Sequence, residues 1–205
     1  HADSIVVDPH KHGLQPYGSG AVFFKDLSIG KFYKHDSPYT YFISDDLHFG
    51  EIQLECSRAG ASAAAIWATL KMFPLTEQGL GSVLIPTRNA AVSWYERLEQ
   101  SDVLMPYQKP ELDILTYLPR VSSMSELDHV SHEILLRSST GPREDQIHLA
   151  TYVVKEDQLK QRGIHLDQNA DQARILRSVL MKPEHEALVP TLHSKVESLA
   201  RELLG

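Results

Sequence analysis

The sequence predicts an α/β protein in two parts, the second of them an α+β unit built on an antiparallel sheet. Three observations carry this reading. Short apolar runs bounded by glycine and proline crowd the first 25 residues, apolar residues then recur at helical spacing between Cys56 and Glu99, and beyond Pro110 strand-like and helical patterns alternate to the C-terminus.

Taken in order, residues 3–8 and 20–25 read as two short buried strands, with Gly13, Pro16, Gly18 and Gly20 marking a tight connection between them. The stretch from Lys31 to Gly50 has neither helical nor strand period and is expected to be a long loop, a kind of segment that often carries function. From Cys56 to Phe73 the positions of Ala59, Ala63, Ile66, Trp67, Leu70 and Phe73 predict a helix that Pro74 ends. A second helix is expected over Leu80–Glu99, with Leu84, Ala91, Trp94, Tyr95 and Leu98 on one stripe and Pro86 as a kink or first-turn residue. Further on, Leu112–Leu118, Ile147–Val154 and Ile175–Met181 read as strands. Met124–Leu136 and His185–Leu204 read as one-faced helices packed on their sheet.

Composition narrows the function classes. Of the 205 residues 42% are hydrophobic and 23% charged, which is ordinary for a globular chain. The net charge of −7, with scattered lysines and arginines, offers no footprint for nucleic acid or for an anionic membrane. Cys56 is the only cysteine, so an internal disulfide is excluded and a reducing compartment fits. With no leader pattern at the start and no apolar run approaching the ~20 residues of a bilayer span, a cytoplasmic address is expected.

The segment Ser4-Ile5-Val6-Val7-Asp8-Pro9-His10-Lys11 is the most informative for chemistry. A strand that ends by presenting Lys11 from a partly desolvated turn would lower the pKa of its amine, and a neutral amine condenses with an aldehyde or ketone. His1, His10 and His12 lack the cysteine- or carboxylate-rich partners of a zinc site, so no metal is expected. Arg177 stands in mid-strand among apolar neighbours, a costly position unless the guanidinium is paired. Its partner would be either a carboxylate ligand, which the fork-shaped cation suits, or an acid of the chain itself. Arg174, three residues earlier, faces the other way.

Three blocks in register carry a family resemblance. The first is Ala2-Asp3-Ser4 followed by Asp8-Pro9-His10-Lys11, Pro16 and Gly20. The second is Leu54-Glu55-Cys56-Ser57-Arg58-Ala59-Gly60-Ala61 with Ala64, Ile66, Trp67, Leu70 and Lys71. The third is Ala173-Arg174-Ile175-Leu176-Arg177-Ser178-Val179-Leu180-Met181-Lys182-Pro183. Together they resemble the group II pyridoxal-phosphate-dependent amino-acid decarboxylases, in the order in which that family carries them.

The resemblance implies a type I fold, that of the pyridoxal-phosphate-dependent transferases. Residues 1–75 would be the C-terminal part of the large cofactor-binding domain with the cofactor lysine and a mobile loop, and 76–205 an interdomain helix and the small α+β domain. It also implies decarboxylation of an L-amino acid with pyridoxal 5'-phosphate, the electron sink that side chains cannot supply. Lys11 would form the internal aldimine, His10 would lie near the cofactor phosphate and the lysine, and Asp8 would occupy a position near the phosphate, where a carboxylate is repulsive unless shielded. Arg177 would hold the substrate α-carboxylate. Tyr39 and Tyr41, in the 31–50 loop, are both candidates for the proton donor, and His48 could reach a partner subunit's cofactor.

A homodimer is implied, with sites at the subunit boundary. The family's cofactor-pairing aspartate and ring-stacking histidine lie upstream of the lysine strand, so the N-terminal part of the same protein is an expected partner and the piece alone is expected to be a poor enzyme. Another type I fold enzyme, a carbon–carbon lyase or one resembling an aminotransferase, and a non-catalytic fragment or pseudoenzyme are the alternatives.

Overall fold

The computed structural model describes residues 1–34 and 60–205. These form two compact units, His1–Leu80 and Gly81–Gly205.

The first unit opens with β1 (Ser4–Val7) and β2 (Ala21–Phe24), paired antiparallel from Ser4 opposite Phe24 to Val7 opposite Ala21. Both strands lie where the sequence puts them, but they are not buried: Ile5, Val6, Val7, Val22 and Phe23 all stand exposed. A two-stranded ribbon shields neither of its own faces, and β-branched and aromatic residues favour strand whether or not a further layer covers them. A 3-10 helix over Leu27–Phe32 follows, which the sequence reading does not anticipate. Its first turn is capped by Asp26, whose carboxylate accepts from the Ser28 amide at 2.9 Å. The helix α1 (Ala61–Met72) ends where expected: the Phe73 amide still donates to Thr69 O at 2.7 Å, whereas Pro74 has no amide to continue and excludes helical geometry for Phe73. Cys56 to Ala59, included in the sequence expectation for this helix, lie outside the described residues.

The second unit is built around a sheet of order β3-β4-β6-β5, antiparallel at every pairing. Its elements run α2 (Gly81–Gln100), β3 (Leu104–Pro106), β4 (Ile114–Pro119), α3 (Met124–Ser138), β5 (Ala150–Lys155), α4 (Glu156–Lys160), β6 (Gln172–Val179) and α5 (His185–Leu204). The antiparallel α+β architecture is as predicted. The three-residue β3 and the short α4 are additions.

In α2 the buried stripe is Thr87, Ala90, Ala91, Trp94 and Leu98, with the predicted Leu84 and Tyr95 only half-buried. The start of α3 is held by reciprocal capping, Ser123 Oγ accepting from the Glu126 amide and the Glu126 carboxylate accepting from the Ser122 amide at 3.0 Å. Alternation along β4 and β6 sends Leu115, Tyr117 and Leu176 to one face, where Trp94 of α2, Val130 and Ile134 of α3, and Val189 and Val196 of α5 meet them in one core. Tyr117 is wholly buried, its ring 5.6 Å from that of Trp94, and its hydroxyl pairs with Ser178 Oγ at 3.1 Å. Leu118, Ile175, Ala173 and Val154 turn to the opposite face and are covered at one end by Leu159 of α4, Tyr107 and Ile164.

Candidate functional site

In the first unit the candidate chemistry sits on the β1–β2 connection. Directly after β1, Asp8 O accepts from the Lys11 amide at 2.9 Å and Pro9 O accepts from the Gln15 amide at 3.1 Å, so the chain folds back at once. Gly13 permits this, because a Cβ there would stand 2.7 Å from Pro9 Cα. Leu14 next to it takes the left-handed conformation with φ 58°. The turn is fastened to α1 by Gln15, whose amide Nε2 donates to Thr69 Oγ1 at 2.7 Å and to Gly13 O at 3.1 Å.

Two side chains emerge from this turn beside each other. His10 Nδ1 lies 2.7 Å from Ser19 O. A carbonyl only accepts, so Nδ1 carries the hydrogen, and Nε2 is the nitrogen left to accept a proton. The imidazole stacks on Tyr17, ring centroids 5.0 Å apart. Ser19 is buried, and its Oγ has no hydrogen-bond partner among the described residues.

Lys11 Nζ pairs with Asp8 Oδ2 at 2.7 Å, with 60% of the lysine side chain exposed. The sequence leads one to expect a desolvated amine with a lowered pKa. The structure shows the reverse: the hydrogen bond and charge of Asp8 raise the Lys11 pKa, and Lys11 in turn lowers that of Asp8. Desolvation needs a covering layer, and none lies over the ribbon among the described residues. Asp8, the residue whose role the resemblance leaves least defined, is thus the lysine's counter-ion here.

The second unit holds the two arginines of β6, which leave the strand on opposite faces. Arg174 meets α3: its Nε donates to Asp128 Oδ1 at 2.8 Å, its Nη2 to Oδ2 at 2.6 Å, and its Nη1 to His132 Nδ1 at 2.8 Å. Asp128 also accepts from the Arg174 amide at 2.9 Å, and these bonds hold its carboxyl below the ordinary range. Arg177, across β4 from Thr116 and across β5 from Ala150, has no ion pair among the described residues. Its Nε is shielded from solvent and has no hydrogen-bond partner among the described residues, and the same holds for Thr116 Oγ1. Of the two explanations the sequence allows for Arg177, an acid of the chain itself is therefore not realised among the described residues.

Tyr39, Tyr41 and His48 lie outside the described residues. Sequence reasoning missed Tyr17, Ser19, Gln15 and Thr116. The first three belong to a turn whose hydrogen bonds no periodicity encodes, and Thr116 reads as one more β-former inside an apolar strand.

No family model matches the chain. An L-tyrosine decarboxylase of Enterococcus faecium is 29% identical over 141 residues, which are 63% of this chain and 23% of that protein. A probable L-tyrosine/L-aspartate decarboxylase of Methanothermobacter thermautotrophicus is 32% identical over 117 residues, 56% of this chain and 29% of that protein. The chain thus matches about a quarter of the length of these relatives. Among solved structures, that of Oryza sativa TDC with PLP and tryptamine superposes with a TM-score of 0.73 at 12% identity, covering 96% of this chain and 39% of that one. The fold is therefore that of the type I pyridoxal-phosphate enzymes, over the portion that superposes. In sequence the chain is similar to about a quarter of these tyrosine and tyrosine/aspartate decarboxylases, and in fold to about two fifths of a solved structure titled as holding PLP and tryptamine.

Proposed function

We propose that the protein of which this chain is a part removes the α-carboxylate of an L-amino acid with pyridoxal phosphate attached to Lys11. The observation that carries the reading is the turn after β1, which fixes the backbone of Lys11 and leaves 60% of its side chain exposed, within reach of an aldehyde once the contact with Asp8 is given up. The residues present fit the cofactor: a reachable amine, an imidazole at the preceding position, and a buried serine hydroxyl without a partner among the described residues. When bound, pyridoxal phosphate supplies the electron sink into which the electrons of the broken carbon–carbon bond pass.

The work of the chain's own residues follows from their chemistry. Lys11 attaches only as a neutral amine, so the proton that Asp8 stabilises must leave first, and His10 Nε2, the nitrogen that the Nδ1–Ser19 bond leaves as an acceptor, would take it. Arg177 would orient the substrate through its α-carboxylate. Tyr39 or Tyr41 would return a proton to the α-carbon. L-Tyrosine and L-aspartate, the substrates named for the relatives, are the first to try.

Residues 1–75 would close the large cofactor domain and 76–205 form the interdomain helix and small domain. The apolar surface of β1 and β2 supports a covering partner, which we assign to the N-terminal part of the same protein, within a homodimer. No helix among the described residues is long and apolar enough to cross a membrane. The lone Cys56 supports a cytoplasmic address.

Reduction of the intact, cofactor-loaded protein with borohydride, followed by peptide mapping, should place the label on Lys11, and Lys11→Ala should abolish both label and carbon dioxide release. Label on another lysine would end the assignment. Turnover without carbon dioxide would favour a carbon–carbon lyase or an enzyme resembling an aminotransferase.

A further inference from the structure

The pairing of β4 with β6 sets Thr116 directly opposite Arg177. Directly opposed residues project to the same face with Cβ atoms roughly 5 Å apart. That face is the one Arg174 does not use. Along β6 the same face carries Ile175 on one side of Arg177 and Val179 on the other, and across β5 it carries Ala150, whose side chain is a single methyl.

Within this apolar frame two polar atoms are shielded from solvent and have no hydrogen-bond partner among the described residues: Arg177 Nε and Thr116 Oγ1. Shielded polar groups without partners are rare in folded proteins because each forfeits its bond to water. Two such groups, opposed on neighbouring strands and both able to donate, describe an acceptor that belongs between them.

We infer that Thr116 and Arg177 together form a two-point carboxylate subsite. The guanidinium fork spans both carboxylate oxygens and the Thr116 hydroxyl donates to one of them. The inference rests on the assignment of the substrate carboxylate to Arg177 and adds a specificity residue to it. Threonine suits the position because an uncharged donor strengthens the hold on an anion without a second positive charge that would have to be desolvated. The arrangement also separates substrate from product: both contacts are made to the group that departs as carbon dioxide, so the amine left behind touches neither residue.

The test uses the intact cofactor-loaded protein with L-tyrosine as substrate and tyramine, its decarboxylated amine, as competing ligand. Thr116→Val keeps the shape and removes the hydroxyl. It should raise the KM for L-tyrosine roughly tenfold, the loss expected for one hydrogen bond to a charged group, and leave inhibition by tyramine unchanged. Thr116→Ser should restore the wild-type KM, which separates loss of the hydroxyl from a packing defect. Arg177→Gln should raise the KM by about a hundredfold or more.

If Arg177→Gln raises the KM and Thr116→Val does not, or if Thr116→Val weakens tyramine and L-tyrosine equally, the two-point subsite is wrong and the arginine assignment stands. If Arg177→Gln leaves the KM unchanged, an acid elsewhere in the protein holds this arginine and both readings fall.

Discussion

The two units differ in how they use their apolar residues. In Gly81–Gly205 the large side chains meet: Trp94, Tyr117, Leu98, Ile134, Leu176 and Val196 are all but inaccessible, and three helices close one face of a four-stranded sheet. In His1–Leu80 the apolar side chains of a two-stranded ribbon stand exposed among the described residues, and Val6 is 73% exposed. Local preference is enough to make a strand, and only a second layer makes a core. The C-terminal unit carries its own second layer. The N-terminal unit presents surface for one, and it is the unit that holds Lys11.

Three substitutions bear on this difference, taken from the largest expected effect to the smallest. Trp94→Ala removes a ring buried against Tyr117 and should cost about 3–5 kcal/mol in urea unfolding of the 205-residue chain. A loss below about 1 kcal/mol would mean that the second unit is not close-packed.

Asp128→Asn takes the charge from the Arg174 pair and should cost roughly 1–2 kcal/mol at neutral pH. Because the folded-state pKa of Asp128 lies below its ordinary value of 3.8, the contribution is complete above that value and fades as pH falls through the lower, folded-state value. The stability difference between wild type and Asp128→Asn, followed by denaturant titration, should therefore be flat from about pH 5 to 7 and shrink below about pH 4. A difference that instead grew on acidification would contradict the assigned pair.

Val6→Ala is expected to cost under about 0.5 kcal/mol in the 205-residue chain, where the side chain is already solvated, and at least twice that in the intact protein. Equal losses in the two would show that the ribbon stays uncovered and would remove the reason for assigning it a partner.

How much of this was legible in the sequence varies with the physics behind each feature. The terminal helix His185–Leu204 was read with its boundaries correct because its one-faced apolar pattern is continuous. The strands β1 and β2 were read from their residue types, but their exposure was not, since an apolar run declares a preference for burial and not the identity of what buries it. The same gap explains Lys11: the motif announces an amine at a strand end, whereas the direction of its pKa shift is set by whether Asp8 or an apolar wall stands nearest. β3 escaped because three residues, one of them proline, hold no period. Arg177 was marked by its apolar neighbours, yet the difference between it and Arg174 depends on register against α3 and β4, which only the folded sheet reveals.

Leu14 lies at a backbone angle that leucine avoids, and such a residue persists only when its surroundings overdetermine it, here through Gly13 pressed on Pro9 and Gln15 tied to α1. The consequence is a stiff pedestal under a swivelling arm. The main chain of residues 8–15 is clamped, while 60% of the Lys11 side chain is exposed, so under the proposed function its nitrogen would exchange the contact with Asp8 for a covalent one without refolding the loop. A graft of Ser4–Phe24 onto another scaffold would inherit the arm, but not the pedestal, unless Thr69 travelled with it.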